Sequence, residues 1–241
     1  MSTIKKVCCV IGVGKGIGFG VAEKFAKEGF SVALVSRNKE KLEPFVQEIQ
    51  KKYGDTGSFA VEMDSTDSES VEKGFKEIRS KINGRPIDVL IYNASAPFKM
   101  VSVEKTNVND FQNSWKASCL GALLTSQQVL TEMYEKQNGT IIFTGATASL
   151  RGGASFGLFA SSKFALRGFA QSLARESYPK GVHVSHVIID GYVDINRDYS
   201  SRPKENWLDP DAIASTYFSL YSQDRSAWTH EIDIRPHTEK W

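Results

Sequence analysis

Cysteine is scarce in this chain, an excess of charge of either sign is missing, and no long hydrophobic run occurs. Three cysteines occur among 241 residues, two of them adjacent in Val7-Cys8-Cys9-Val10-Ile11. Neighbours on a strand point to opposite faces, so this pair cannot share a bridge, and a disulfide framework is excluded in favour of reduced core residues. Lys and Arg number 30 against 28 Asp and Glu, a formal charge of +2. No long-range field therefore recommends nucleic acid or an anionic membrane as partner. Nothing approaches the ~20 consecutive apolar residues of a membrane span. Met1–Lys6 runs into the first apolar stretch without the features of a signal peptide. A cytoplasmic chain is expected, with Asn93-Ala94-Ser95 and Asn138-Gly139-Thr140 unglycosylated despite their pattern. No metal is expected either, because His230, Glu231 and His237 lack the helical i, i+4 spacing that a His-Glu-x-x-His site needs.

What the chain does have is alternation. Short apolar runs at 5–11, 31–36, 57–62, 87–92, 139–145, 182–189 and 230–234 are separated by amphipathic stretches at 17–28, 39–53, 67–82, 107–136, 155–177 and 209–222. Gly29, Gly54, Gly84-Arg85-Pro86 and Pro179-Lys180-Gly181 punctuate them. Strand and helix in strict alternation predict βαβ units around a doubly wound parallel sheet of seven strands, a Rossmann-type α/β fold in three αβα layers. One domain over 1–241 suits this length. The stretch 190–209, with Tyr192, Tyr199, Pro203 and Trp207, has no clear period. It follows the sixth strand at the edge where ligands bind such sheets, and reads either as a substrate lid or as a surface connection packed by its own aromatics.

A dinucleotide site is suggested by Gly12-Val13-Gly14-Lys15-Gly16-Ile17-Gly18, which leaves a strand and opens a helix. Glycine lets the backbone approach a pyrophosphate while helix N–H groups face it, although a flexible turn has the same composition. At the end of the second strand, where NAD-type sites place a carboxylate for the ribose, the chain has Ser36-Arg37. Lys15 and Arg37 together suit an adenosine 2′-phosphate and favour NADP(H), with NAD(H) as the alternative. Asp64 after the third strand could meet the adenine, and Asn93, Ala94 and Ser95 after the fourth are small enough for close approach of a cofactor. Local turn chemistry explains those four residues equally well.

In this order the motifs resemble the short-chain dehydrogenase/reductase family over residues 4 to about 234. Gly12, Gly16 and Gly18 match its glycine motif, Tyr92-Asn93-Ala94-Ser95 its Asn-Asn-Ala-Gly, and Asp190-Gly191 its Pro-Gly after the sixth strand, with Val193 just beyond. Ile11 stands where a Thr or Ser is usual. The resemblance implies a small-molecule carbonyl or alcohol substrate, pairing of the long helices into a homodimer or homotetramer, and a catalytic Asn, Ser, Tyr and Lys. Of these only Lys163 is kept. Phe159 takes the place of Tyr, Ala146 that of Ser and Ser118 that of Asn, an atypical pattern. The lost Tyr would act as a general acid, typically worth ~10²–10⁴-fold, and the lost Ser as an oxyanion donor worth roughly 10²–10³-fold. Lys163 keeps its ribose role.

Substitute hydroxyls lie nearby on Thr147, Ser155 and Tyr192, and His186 lies on the sixth strand, though a loop hydroxyl is commonly a cap and a strand histidine commonly core. Two readings follow: an NADP(H)-dependent oxidoreductase with a degenerate tetrad, or a non-catalytic, regulatory NADP(H)-binding protein.

Overall fold

The computed structural model describes residues 5–196 and 200–240, so Tyr199, one of the aromatics of the 190–209 stretch, lies outside the described residues. The elements run β1 (Val7–Ile11), α1 (Ile17–Lys27), β2 (Ser31–Ser36), α2 (Glu43–Tyr53), β3 (Phe59–Glu62), α3 (Ser68–Lys81), β4 (Val89–Tyr92), α4 (Val108–Trp115), α5 (Gly121–Glu135) and β5 (Gly139–Thr144). They continue as α6 (Gly157–Ser177), β6 (Val182–Ile189), β7 (Tyr192–Val193), β8 (Trp207–Leu208), α7 (Pro210–Tyr221) and β9 (Glu231–Ile234). Seven strands form one sheet in the order β3-β2-β1-β4-β5-β6-β9. Every pairing in it is parallel.

Strands β1, β4, β5 and β6 are buried along their whole length, as expected when helices cover both faces of a parallel sheet. Alternation then sorts the side chains. Cys9 packs with Phe75 of α3, Val129 of α5 and Leu166 of α6, while Cys8 packs with Phe25 of α1, Ile49 of α2 and Tyr217 of α7. The three expected layers are present, and the two adjacent cysteines serve opposite cores. Strand β1 pairs with β2 on one side and β4 on the other. Chain order reverses there, so the carboxyl ends of β1 and β4 open the crevice that such sheets offer to ligands.

Several boundaries differ from the sequence reading. Helix α2 starts at Glu43 instead of 39, because Pro44 fits only the first helical turn. The expected helix 155–177 starts at Gly157, since Ser155 holds a left-handed φ of 64°. The stretch 190–209 is partly regular: Tyr192 pairs with Trp207 and Val193 with Leu208 in a two-stranded parallel ribbon.

The single helix expected over 107–136 is α4 and α5 joined through a π-helical turn at Lys116–Leu120. The cause lies on β4. Tyr92, fully buried, donates its hydroxyl to Ala117 O at 2.5 Å and shares a 3.2 Å bond with Ser65 Oγ. A β-carbon on Gly121 would lie 2.1 Å from that hydroxyl and 2.8 Å from Ser65 O. Alanine in place of a helical glycine ordinarily stabilises by roughly 0.5–1 kcal/mol. Here Gly121→Ala should instead destabilise by about 2 kcal/mol, the cost of overpacking, and Tyr92→Phe in the same chain should recover part of that loss. Urea denaturation of the three variants reads the sign; a stabilised Gly121→Ala protein would mean that Tyr92 does not hold the turn.

Candidate active site

The glycine loop is shaped by two contacts that tolerate no side chain. Gly12 has φ +86°, and a β-carbon there would stand 2.5 Å from Ala94 N. One on Gly18 would stand 2.6 Å from Gly12 O. The amides of Gly12 and Val13 both donate to Val35 O, at 2.9 and 3.0 Å. Asn93 donates its side-chain amide to Gly12 O at 2.9 Å, and its backbone N–H to Ile11 O at 2.9 Å. This Asn therefore ties the end of β4 to the loop after β1. Helix α1 begins at Gly16 with no side-chain cap and no acidic residue in its first turn, which leaves its N-terminal N–H groups for an anion.

Above the loop lies a cleft of about 640 Å³. Eight residues singled out from the sequence line it: Gly12, Gly14, Ser36, Arg37, Asp64, Asn93, Ala94 and Ser95. A β-carbon on Gly14 would meet nothing within 4 Å, so a ligand can approach the backbone there. Lys15, Gly16, Ile17 and Gly18 form the turn and helix start beside the cleft and are not among its lining residues. Gly16 faces the β7 segment: its missing β-carbon would lie 3.2 Å from Ile195 and 3.8 Å from Val193. Lys15 and Arg37 are exposed, and among the described residues neither has an ion-pair partner. Asp64 accepts from Thr66 N at 2.8 Å and Thr66 Oγ1 at 2.7 Å, so local turn bonds hold its carboxylate at the cleft wall. Shape, backbone approach, free helix N–H groups and unpaired cations together fit a phosphorylated dinucleotide.

The four positions of the implied tetrad lie around the start of α6. The Phe159 ring packs at 5.2 Å against Phe98, which in turn sits 5.3 Å from Phe156. Lys163 is 4% exposed, donates to Thr144 O at 2.9 Å and stands 5.7 Å over the Phe159 ring. Burial without a carboxylate partner pushes its ammonium down to about 8. Ala146 is extended, and its N–H donates to Ser149 Oγ at 3.2 Å. Ser118 lies in the π-helical turn, buried, and donates to Ser162 Oγ at 3.3 Å. Thr147 Oγ1 donates to the carboxylate of Asp190.

Of the other hydroxyls considered, Ser155 is set in its strained turn and Tyr192 is half-exposed against Trp207 and beneath Arg202. His186 is wholly buried and bonds Glu231 through Nδ1 at 2.9 Å. Gly191 is braced by Pro236, 2.8 Å from where its β-carbon would be.

The sequence reading missed one cluster. Asp190 was noted only as the first residue of a corner, yet its carboxylate, 5% exposed, takes the Thr147 hydroxyl and ion-pairs with Arg235 at 2.9 Å and Arg151 at 3.8 Å. The signal was visible as an acid where the family has Pro. Its partners come from two parts of the chain distant from it, 147–151 and Arg235, which no local pattern reports.

Comparison with known proteins agrees with this geometry. The sequence profile of the family described as short chain dehydrogenase matches residues 6–206. A short-chain dehydrogenase structure from Rhodopseudomonas palustris is 37% identical with TM-score 0.80, covering 96% of this chain and 99% of that one. The 3-oxoacyl-(acyl-carrier-protein) reductase FabG of Aquifex aeolicus (strain VF5) is 28% identical over 238 residues, 94% of each chain. An alcohol dehydrogenase from the archaeon Thermococcus sibiricus, solved with 5-hydroxy-NADP, shares the fold at TM-score 0.84 and 24% identity, over 98% of each chain. The chain belongs to the short chain dehydrogenase family, and its general class is oxidoreductase. Among the described residues, no helix is long and apolar enough to cross a membrane.

Buried His186, with the half-buried Glu231 and Arg167 beside it, gives a test of this polar group. Burial holds His186 down at about 4 against the opposing pull of Glu231. Arg167, bonded to Glu231 through two nitrogens at 2.7 Å, lowers that carboxyl, with His186 adding to the effect. Between the ordinary imidazole value and about 4, the unfolded chain takes up a proton that the fold refuses, so stability falls as pH drops through that window. Glu231 acts in the same direction at lower pH, where its stabilisation is lost as it protonates. Urea midpoints from pH 7 to 4.5 should therefore fall less steeply in His186→Gln than in the parent, by up to about 1.4 kcal/mol per pH unit; parallel slopes would show that His186 takes its proton freely in the fold.

Proposed function

We propose that the chain is an NADP(H)-dependent oxidoreductase acting on a small carbonyl or alcohol, with a catalytic tetrad altered at three of its four positions. The observation that carries this reading is the cleft between β1 and β4, with an unpaired guanidinium at its adenosine end. In this reading Gly12, Gly14, Lys15, Gly16, Ile17 and Gly18 hold the pyrophosphate against the start of α1. Ser36 and Arg37 take the 2′-phosphate and Asp64 the adenine. Asn93, Ala94 and Ser95 flank the middle of the cofactor, Lys163 the ribose hydroxyls, and Gly191 with Val193 the nicotinamide end. The bound dinucleotide supplies or accepts a hydride; everything else falls to the chain.

Phe159 offers no proton and Ala146 no hydroxyl, while Ser118 is committed to Ser162. Orientation of the reactants then carries more of the rate than acid catalysis, and Thr147, next to Ala146, is the nearest hydroxyl in sequence. In the same reading residues 1–241 form one nucleotide-binding domain with 190–209 as its lid. Phe111 and Trp115 on α4 and Phe164 on α6 stay exposed, an apolar row that suits pairing into a homodimer or homotetramer.

The packing of Phe98 onto Phe159 favours a second reading, in which the aromatic cluster replaces chemistry and the protein binds NADP(H) without turnover. One experiment addresses both. Titration with NADPH and NADH, read by thermal shift, should show a preference for NADPH that Arg37→Ala reduces about tenfold; a ligand at 100 times its dissociation constant adds about 2.7 kcal/mol. Binding of neither nucleotide would remove both readings. Given binding, Phe159→Tyr with Ala146→Ser should raise NADPH-dependent reduction of aldehydes or diketones at least about tenfold. A silent double variant favours the binding protein.

A further inference from the structure

A second hollow opens where the cofactor cleft ends. It holds about 300 Å³ and is walled by Arg37, Glu62, Asp64, Ser70, Lys73 and Glu77. Arg37 and Asp64 belong to both spaces, so the hollow continues the cleft past its adenosine end, between the turn after β2 and one face of α3. In a sheet of this kind the adenosine ribose lies at the end of the second strand. A group projecting from its 2′ oxygen beyond Arg37 therefore enters the hollow.

The charges of this hollow are mixed in sign, and their partners sort them. Glu77 is engaged by Lys39 at 3.6 Å and by Lys81 at 3.9 Å. Asp64 accepts from both the N–H and the hydroxyl of Thr66. Glu62 stands exposed at the end of β3, opposite Ser36 in the strand register. Lys73 is exposed and makes no ion pair among the described residues, although Glu77 follows it by one turn of α3. Ser70 Oγ accepts the Asp64 N–H at 2.9 Å, which leaves its own proton for an acceptor in the hollow. The α3 wall thus offers an unpaired ammonium and a hydroxyl proton, and the opposite turn offers the Arg37 guanidinium.

We propose that Lys73 is a second cation for the 2′-phosphate of NADP(H) and that, with Arg37, it sets the preference for the phosphorylated dinucleotide. The proposal rests on the NADP(H) reading above and adds to it a residue from α3, a helix that carries none of the glycine or strand-end motifs. A phosphate monoester bears about −1.5 to −2 charges at neutral pH and three acceptor oxygens. A guanidinium takes two of those oxygens in parallel. The third oxygen and the remaining charge suit an ammonium, a point charge on a flexible stem that needs no fixed plane of approach. With an unphosphorylated ribose Lys73 has no anion to meet, so its effect belongs to the phosphorylated ligands alone.

The test is isothermal titration of the full chain at low salt with four probes: 2′,5′-ADP and 5′-AMP, the adenosine halves with and without the second phosphate, and NADPH and NADH. Lys73→Met should weaken 2′,5′-ADP and NADPH about fivefold and leave 5′-AMP and NADH within about twofold of the parent. Lys73→Arg should restore the loss. Lys76→Met removes the same charge from α3 outside the hollow, and should leave all four affinities unchanged. An unaltered affinity for 2′,5′-ADP in Lys73→Met, an equal loss in Lys76→Met, or a matching loss for 5′-AMP would each overturn the proposal. In any of those cases, loss of the NADPH preference in Arg37→Ala would keep the NADP(H) reading standing without Lys73. A parent that binds 2′,5′-ADP no better than 5′-AMP would defeat that reading and the proposal together.

Discussion

Everything at the ligand end of this fold depends on how closely the backbones after β1 and β4 approach. Gly12 and Ala94 are so near that a single methyl group would be 2.5 Å from the Ala94 nitrogen. Asn93 locks the approach with bonds to Ile11 O and Gly12 O. Because β1 turns back at Gly12 under this restraint, α1 starts where its unpaired N–H groups look into the crevice. Arg37 reaches the same crevice because β2 pairs in register with β1, Val35 opposite Ile11. Loosening the Gly12–Ala94 contact would displace loop, helix and cation together.

The fold was legible in the sequence because its signals are local and repeated. All seven strands of the main sheet were found from apolar runs, and the order of the helices from their period. What escaped were features set by contacts distant in sequence. The π-helical turn cannot be read from 107–136, whose pattern is helical throughout, since its cause is a tyrosine hydroxyl on β4. The positive φ at Ser155 falls on a residue other than glycine, so nothing at that position announces it. The β7–β8 ribbon is too short for periodicity to register. Gly12, Gly14, Ser36, Arg37, Asp64, Asn93, Ala94 and Ser95 were found because glycine spacing and strand ends are sequence properties. The Asp190 cluster was not, because the 147–151 turn and Arg235 reach Asp190 only when β5, β6 and β9 lie side by side.

In the proposed reading, the reaction end combines a retained cation with apolar replacements. Lys163 keeps its buried ammonium against Thr144 O, but the ring above which it stands has no hydroxyl for that charge to act on. Two polar constellations lie on the elements that carry these positions: the serine group of 114, 118 and 162 between α4, the π-helical turn and α6, and the Thr147–Asp190 group after β5 and β6. The serines bond to one another and satisfy themselves. The Thr147–Asp190 group is polarised by two arginines, which sets it apart chemically.

Strand β6 carries a further consequence. It is buried throughout, yet it holds His183, Ser185 and His186. Their partners are Thr229 O for His183 and Ser185, and His230 O and Glu231 for His186. A slip of β9 by one residue would take Thr229 O, His230 O and Glu231 away from these groups, at roughly 1–3 kcal/mol for each one left unsatisfied. It would also turn the apolar Ile232 and Ile234 away from the core they pack against. The edge strand is thus addressed as well as paired, and the polar letters on its neighbour work as a key that admits one alignment of the chain's own last strand and gives a foreign strand no equivalent reward.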